Sequence, residues 1–207
     1  MAVNRLRCCG FGGVLVTDLT ERICAEMSSL EFVDRSYPML SSWGVRDEDV
    51  LIHSLGCSAW NELGSHIGYM AVSECPVPMT HGADIRADST WFSRTQRTPE
   101  VLIEFERFDG TDRGQKKLDE KICNLLEASL RWGDTPSVLI LSAWNKGVVS
   151  APNKEGFVQR CRQGFKSSVG ARVPPLRNTA VLFSRFIFEI ECSGTLLLKQ
   201  IRCERLM

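Results

Sequence analysis

Apolar positions switch repeatedly between helical and strand spacing along the chain. Thr17-Asp18 followed by Glu21 reads as a helix start, with Leu19, Ile23, Met27 and Leu30 spaced for one face. The stretch 35–44, punctuated by Pro38 and Gly44, reads as a loop. A second helix is expected from Asp47 through "DVLIHSLGCSAWNELG", burying Val50, Leu51, Leu55, Trp60 and Leu63. Residues 67–78 predict a strand, with Met70 and Val72 ahead of a Pro76/Pro78 stop. The stretch 83–92 alternates, with Ile85, Ala87, Ser89 and Trp91 on one face and Asp84, Arg86 and Asp88 on the other. A polar turn leads to a strand over 101–108, "VLIEFERF", which "DGTDRG" ends. Residues 115–132 form the clearest helix, striped by Leu118, Ile122, Leu125, Leu126 and Ser129 and closed by Gly133. "SVLILSAW", 137–144, is a strand of the buried type.

From 47 to 145 the order is therefore helix, three strands, helix, strand. Short connections suit an antiparallel meander for the three strands, and the helix at 115–132 can carry the fourth strand back parallel to the third. Beyond it, "KEGFVQRCRQGF" predicts a helix with Phe157, Cys161 and Phe165 inward and Arg160, Arg162 and Lys166 toward solvent. After the break "ARVPPLRN", two strands, "TAVLFSRFIFEI" and "TLLLKQIRCE", meet at a Ser193-Gly194 turn and can extend the sheet. The expected class is α/β with a mixed sheet. Its parts are a helical lead-in over 1–46, a core over 47–145, and a basic helix plus β-hairpin extension over 146–207, packed as one domain.

At 207 residues the chain can build one good core. The apolar runs are too short to span a bilayer. The opening "MAVNRLRCCGFGGVLVTDL" has glycines and no convincing cleavage site, so no signal peptide is read there. The nine cysteines are scattered except for Cys8-Cys9, no Cys-x-x-Cys occurs, and His53, His66 and His81 lack zinc-finger spacing. Such thiols suggest a reducing, cytoplasmic setting. Net charge is zero but uneven: residues 1–150 carry a balance of −6, and residues 151–207 a balance of +6. The basic quarter suits either nucleic acid phosphates or the acidic part of its own chain or a partner.

Glu104 and Glu106 change the picture. Two positions apart on a strand, they share a face with Leu102 and Phe108. A solvated face explains them simply. The alternative is a divalent metal: Glu74, Asp88, Glu104 and Glu106 lie on consecutive strands, and Mg²⁺ favours a few carboxylates together with water and phosphate oxygens. His81 before Gly82 reads as a loop histidine, and Trp91, Phe105 and Phe108 read as core rather than base-stacking platforms.

An αβββαβ order with Asp in one strand and Glu-x-Glu sixteen residues later resembles the PD-(D/E)xK restriction-endonuclease-like superfamily, in its Glu-x-Glu variant, over residues 47–145. The resemblance implies a metal-dependent nuclease, a hydrolase of phosphodiesters, using Mg²⁺ or Mn²⁺. Asp88 and Glu104 would be metal ligands, with the Phe105 carbonyl a third and Glu74 the upstream acid; Glu62 on the preceding helix competes for that last role. Glu106 stands where the family has lysine, and Lys116 or Lys117 on the next helix would supply the missing cation. The implied partner is nucleic acid, DNA before RNA, with no membrane and with room for a homodimer or larger complex. A catalytically silent binding or assembly subunit of the same fold is the rival reading, and an unrelated fold with a charged solvent face is a third.

Overall fold

The strands anticipated from alternation assemble into one six-stranded mixed sheet. The computed structural model describes residues 16–79, 84–167 and 170–207. The Thr17 side chain, Cys8-Cys9 and the rest of the N-terminal patch, Ala83 and His81-Gly82 lie outside the described residues. The sheet strands are β1 (Met70–Pro76), β2 (Arg86–Phe92), β3 (Pro99–Arg107), β4 (Val138–Lys146), β7 (Ala180–Ile190) and β8 (Leu196–Arg205), neighbours in that order. A small ribbon of β5 (Phe165–Lys166) and β6 (Arg172–Val173) stands apart. β1, β2 and β3 run antiparallel, β3–β4 and β4–β7 are parallel, and β8 returns antiparallel to β7. The C-terminal hairpin thus completes the sheet, turning at Gly194 with φ of 81°.

Helices cover both faces. On one lie α1 (Val16–Ser29), α2 (Glu31–Ser36) and α3 (Asp49–His66), over Val101, Ile103, Phe105, Ile140 and Phe186. On the other lie α4 (Asp112–Arg131) and α5 (Lys154–Gln163), over Leu102, Phe108, Leu139, Leu141 and Phe183. Among the described residues no helix is long and apolar enough to cross a membrane. Trp91, Phe105 and Phe108 are core residues, as their spacing suggested.

Several local expectations need correction. The 35–44 loop is largely ordered: α2 runs to Ser36, and Met39–Trp43 forms a π-helical turn ending at Gly44. Ile85 packs on the α4 side, away from Trp91 on the α3 side. In α3 the buried face is Ile52, Gly56, Ala59, Trp60 and Leu63; Val50 is 80% exposed, and Leu51 and Leu55 are only partly covered. The error has a physical cause. Glycine and alanine mark the side where the helix lies closest to the sheet, and a count of large apolar residues overlooks them.

Gly56 and Gly64 set that closeness. A Cβ at Gly56 would lie 2.1–2.7 Å from the Phe105 ring, and one at Gly64 2.7–2.8 Å from Trp91. The Trp60 indole N–H also donates to Ser142 Oγ across 3.1 Å, pinning α3 to β4. Gly→Ala inside a helix ordinarily gains up to about 1 kcal/mol. Here Gly56→Ala is expected to lose ~1–3 kcal/mol by overpacking, measured by urea denaturation. A stabilised variant would mean that α3 is not seated on Phe105.

Of the cysteines, Cys24 of α1 and Cys203 of β8 are in contact, the Cys203-facing thiol of Cys24 lying 2.8 Å from its partner sulfur. Both are free thiols.

Candidate metal centre

The ladder between β2 and β3 pairs Ser89 with Ile103, and the same register continued by one residue opposes Asp88 to Glu104. Backbone pairing stops there. The Phe105 N–H instead donates to Asp88 Oδ2 at 2.6 Å, so a carboxylate replaces the next carbonyl of the ladder. Asp88 is 5% exposed and Glu104 1%. Two carboxylates are therefore buried side by side at the carboxyl end of β3. Across β1, Glu74 sits between the pairs Ser73–Ser89 and Cys75–Ala87, exposed, with a left-handed φ of 47° that non-glycine residues rarely adopt.

Helix α4 supplies the cations. Thr111 caps it by accepting the Gly114 N–H at 3.1 Å, and Leu118, Ile122 and Leu125 seat it on the sheet. Lys121 then reaches Glu104 Oε2 at 2.6 Å and lies 3.7 Å from Asp88 Oδ2. One turn earlier, Lys117 reaches Glu106 Oε1 at 3.4 Å. The helix runs back along the strand, so the pairs match in antiparallel order. Four helical residues advance about 6 Å and two strand residues about 6.6 Å, which keeps both pairs in step.

Helix α3 closes the other side. His53 Nε2 is 3.6 Å from Asp88 Oδ2, and Cys57, one turn on, lies 3.6 Å from His53 Nδ1 and 3.9 Å from Nε2. His53, Cys57 and Asp88 each present a ligand atom, and all lie within 4.8 Å of one another. Ion pairs fasten this end of α3 to the strands: Asp49 with Arg107, and Asp47 with Lys146. Beside them opens a cleft of about 250 Å³ lined by Asp49, Val50, His53, Glu106, Arg107, Lys117 and Trp144.

The electrostatics follow from burial and count. Burial first, then the Asp88 charge, pushes Glu104 up to about 8, against the opposing pull of Lys121. Burial alone would raise Asp88, but the His53 ring, the Lys121 ammonium and the Phe105 N–H together hold it below its ordinary value. The hydrogen bond to Asp88 raises His53. Burial works to lower the Lys121 ammonium, and the charges of Glu104 and Asp88 outweigh it and raise it. Burial, then the charges of Asp88 and Glu74, raise the Cys57 thiol strongly. A site that keeps a carboxyl group protonated near neutrality has an unfilled demand for positive charge.

The residues singled out from sequence divide clearly. Asp88 and Glu104 come together, with Phe105 offering its N–H to the same carboxylate; in a strand its carbonyl points to that same edge. Glu106 stands at the rim with Lys117, and Glu74 on the neighbouring strand. Lys116 is exposed on the outer side of α4, while Lys117 and Lys121 face the acids. Glu62 is exposed and acts on Tyr37 instead. Lys121, His53 and Cys57 were not anticipated. The i,i+4 pair Lys117/Lys121 against the i,i+2 pair Glu104/Glu106 was the available signal for the first. A His-x-x-x-Cys step on one helical face was the signal for the others.

No protein-family model matches the chain, and no curated protein or solved structure is similar to it.

Proposed function

We propose that the chain is a metal-dependent nuclease-type phosphodiesterase, a PD-(D/E)xK-like fold in which Lys121 of α4 supplies the cation missing from the Glu-x-Glu strand. The observation that carries this reading is the meeting of Asp88, Glu104 and Lys121 around one point at the end of β3. Buried carboxylates beyond what the lysine neutralises are donors of the type that Mg²⁺ or Mn²⁺ takes. A divalent ion held by Asp88 and Glu104 would supply charge neutralisation and activation of water. Lys121 holds the two acids together and places a positive charge where a phosphate would develop negative charge. The nucleic acid partner is supported by the sheet register. Glu106 shares a row with Ala143, Arg185 and Arg202, which puts the two arginines about 10 and 15 Å away on the same face. Arg185 also stacks over Phe108, 5.9 Å from its ring centre. DNA is the first substrate to test, and RNA the second.

The test is cleavage of labelled DNA and RNA by the full chain with Mg²⁺ or Mn²⁺. Glu104→Gln should reduce cleavage about 100-fold or more, the scale seen when one preorganised electrostatic group is removed. Mn²⁺ affinity should rise as the pH approaches about 8, because binding must displace the Glu104 proton. The rival reading, a catalytically silent binding subunit, is favoured by the 2.6 Å contact through which Lys121 already partners Glu104. It predicts a metal-dependent rise in melting temperature with no cleavage of either substrate. A chain indifferent to metal in both assays would leave only a buried structural ion cluster.

A further inference from the structure

The proposed nuclease centre uses the carboxylates and leaves His53 and Cys57 unexplained. They lie one turn apart on α3, both turned toward Asp88. We infer that His53, Cys57 and Asp88 form a second kind of metal site, for a borderline transition-metal ion of the Zn²⁺ or Co²⁺ class. It shares Asp88 with the proposed nuclease centre and extends that reading, but its other two donors are independent of it.

Geometry carries the inference. Zn²⁺ takes four ligands at about 2.0–2.3 Å, so the edges of its tetrahedron are roughly 3.3–3.8 Å long. His53 Nε2 is 3.6 Å from Asp88 Oδ2 and 3.9 Å from Cys57 Sγ, close to those edges. One nitrogen, one sulfur and one oxygen donor suit an ion of intermediate softness, whereas Mg²⁺ favours an all-oxygen shell. The scaffold is rigid. Gly56, between the two donors, lets α3 rest on Phe105, and the N–H of that same Phe105 fixes Asp88. Three protein ligands leave one position of a tetrahedron for water or substrate. His53 also lines the 250 Å³ cleft, where Lys117 and Arg107 are paired with Glu106 and Asp49.

The same trio in a thiol hydrolase would need Cys57 as an exposed thiolate nucleophile. Cys57 is only 8% exposed and lies among carboxylates, surroundings that oppose a free thiolate and that a bound dication reverses. On ligation the thiol proton leaves to solvent and sulfur bonds to the ion, with no change of oxidation state.

Co²⁺ titration of the reduced full chain tests the site through its spectrum. The parent should show the intense visible bands of tetrahedral Co²⁺ and a near-ultraviolet sulfur-to-cobalt charge-transfer band, and Zn²⁺ should abolish both by displacement. Cys57→Ser should lose the charge-transfer band, and His53→Gln should weaken both features; circular dichroism checks that each variant is folded. Glu104→Gln should retain both features, since Glu104 is not one of the three donors. A parent without the charge-transfer band, or a band that survives in folded Cys57→Ser, overturns the inference. The nuclease reading fares separately. A Glu104-dependent Mn²⁺ response without the cobalt bands leaves that reading standing and this site refuted. Cobalt bands that depend on Cys57, in a chain that cleaves nothing, establish the site and remove the nuclease reading.

Discussion

Glu104→Gln is expected to be more stable than the parent protein in metal-free buffer, by a margin that widens as the pH rises. The sign follows from proton linkage. In the unfolded chain the Glu104 carboxyl titrates near 4.5, and in the folded protein burial and then the Asp88 charge push it up to about 8. Between those values the native state holds a proton that the unfolded state has released. Stability therefore falls as pH rises through the window, by about 1.4 kcal/mol per pH unit, to an upper limit of roughly 5 kcal/mol. Glutamine keeps the shape and an oxygen to accept from Lys121, but has no proton to lose. His53 also makes the parent less stable as pH rises through its raised value, since its charged form is the one favoured in the fold. It remains in the variant, so the difference between the two unfolding curves isolates Glu104. Asp88, held low, acts only at more acidic pH. Chemical denaturation across the window measures the difference. Curves that stay parallel would show that Glu104 ionises like an ordinary carboxylate and that the site lacks the excess negative charge argued for it. Added Mn²⁺ should reverse the order, because the parent binds it and the variant has lost a ligand.

The acids of this site were legible because strand alternation is strict. A period of two fixes Glu104 and Glu106 on the face of Leu102 and Phe108, whatever the rest of the chain does. Asp88 followed from the meander, since short connections leave little freedom in strand order. The crossover carried by α4 made the parallel pairing of β3 and β4 readable for the same reason. The helical partners were harder. Lys121 lies three residues after Leu118, at the edge of the apolar stripe, where a lysine more often bends outward to water. Whether it turns inward depends on the height of α4 along β3, and no local pattern sets that height. Pairing Lys117 and Lys121 with two acids on the strand would have fixed it.

His53 and Cys57 stayed hidden for a different reason. Of the large apolar residues that suggest a buried face for α3, Val50, Leu51, Leu55, Trp60 and Leu63, only Trp60 and Leu63 are buried. The glycines that bring α3 onto Phe105 and Trp91 carry no hydrophobic signal, and only the packed structure shows that they mark the contact. The small ordered pieces over 31–43 were similarly masked by Pro38 and Gly44, residues that punctuate the chain without forbidding a short turn of helix between them.

Lys121→Met should have the opposite effect to Glu104→Gln. Methionine fills most of the lysine volume, so packing against α4's neighbours is largely kept and the change is chiefly one of charge. It leaves Asp88 and Glu104 facing each other, with His53 as the one basic side chain in contact with either carboxylate among the described residues. Removing one member of a buried ionic cluster ordinarily costs ~3–5 kcal/mol, because the remaining charges stay desolvated and unpaired. That loss should be full only above about pH 8, where Glu104 is ionised, and should shrink below it, as Glu104 and then, in acid, Asp88 take up protons. The double variant Lys121→Met with Glu104→Gln should recover most of it, since one lone carboxylate then remains against His53 and the Phe105 N–H. A double-mutant cycle measures the coupling directly. A coupling below about 1 kcal/mol would place the Lys121–Glu104 pair among weak surface contacts and remove the physical basis for a charge-hungry site. Mn²⁺ provides the last arm of the experiment. If Asp88 and Glu104 accept a dication, Lys121→Met should be rescued by it more strongly than the parent is stabilised, because the ion then replaces the lost ammonium. Rescue without restored cleavage would assign Lys121 to the charge that meets the phosphate, a role the metal does not fill.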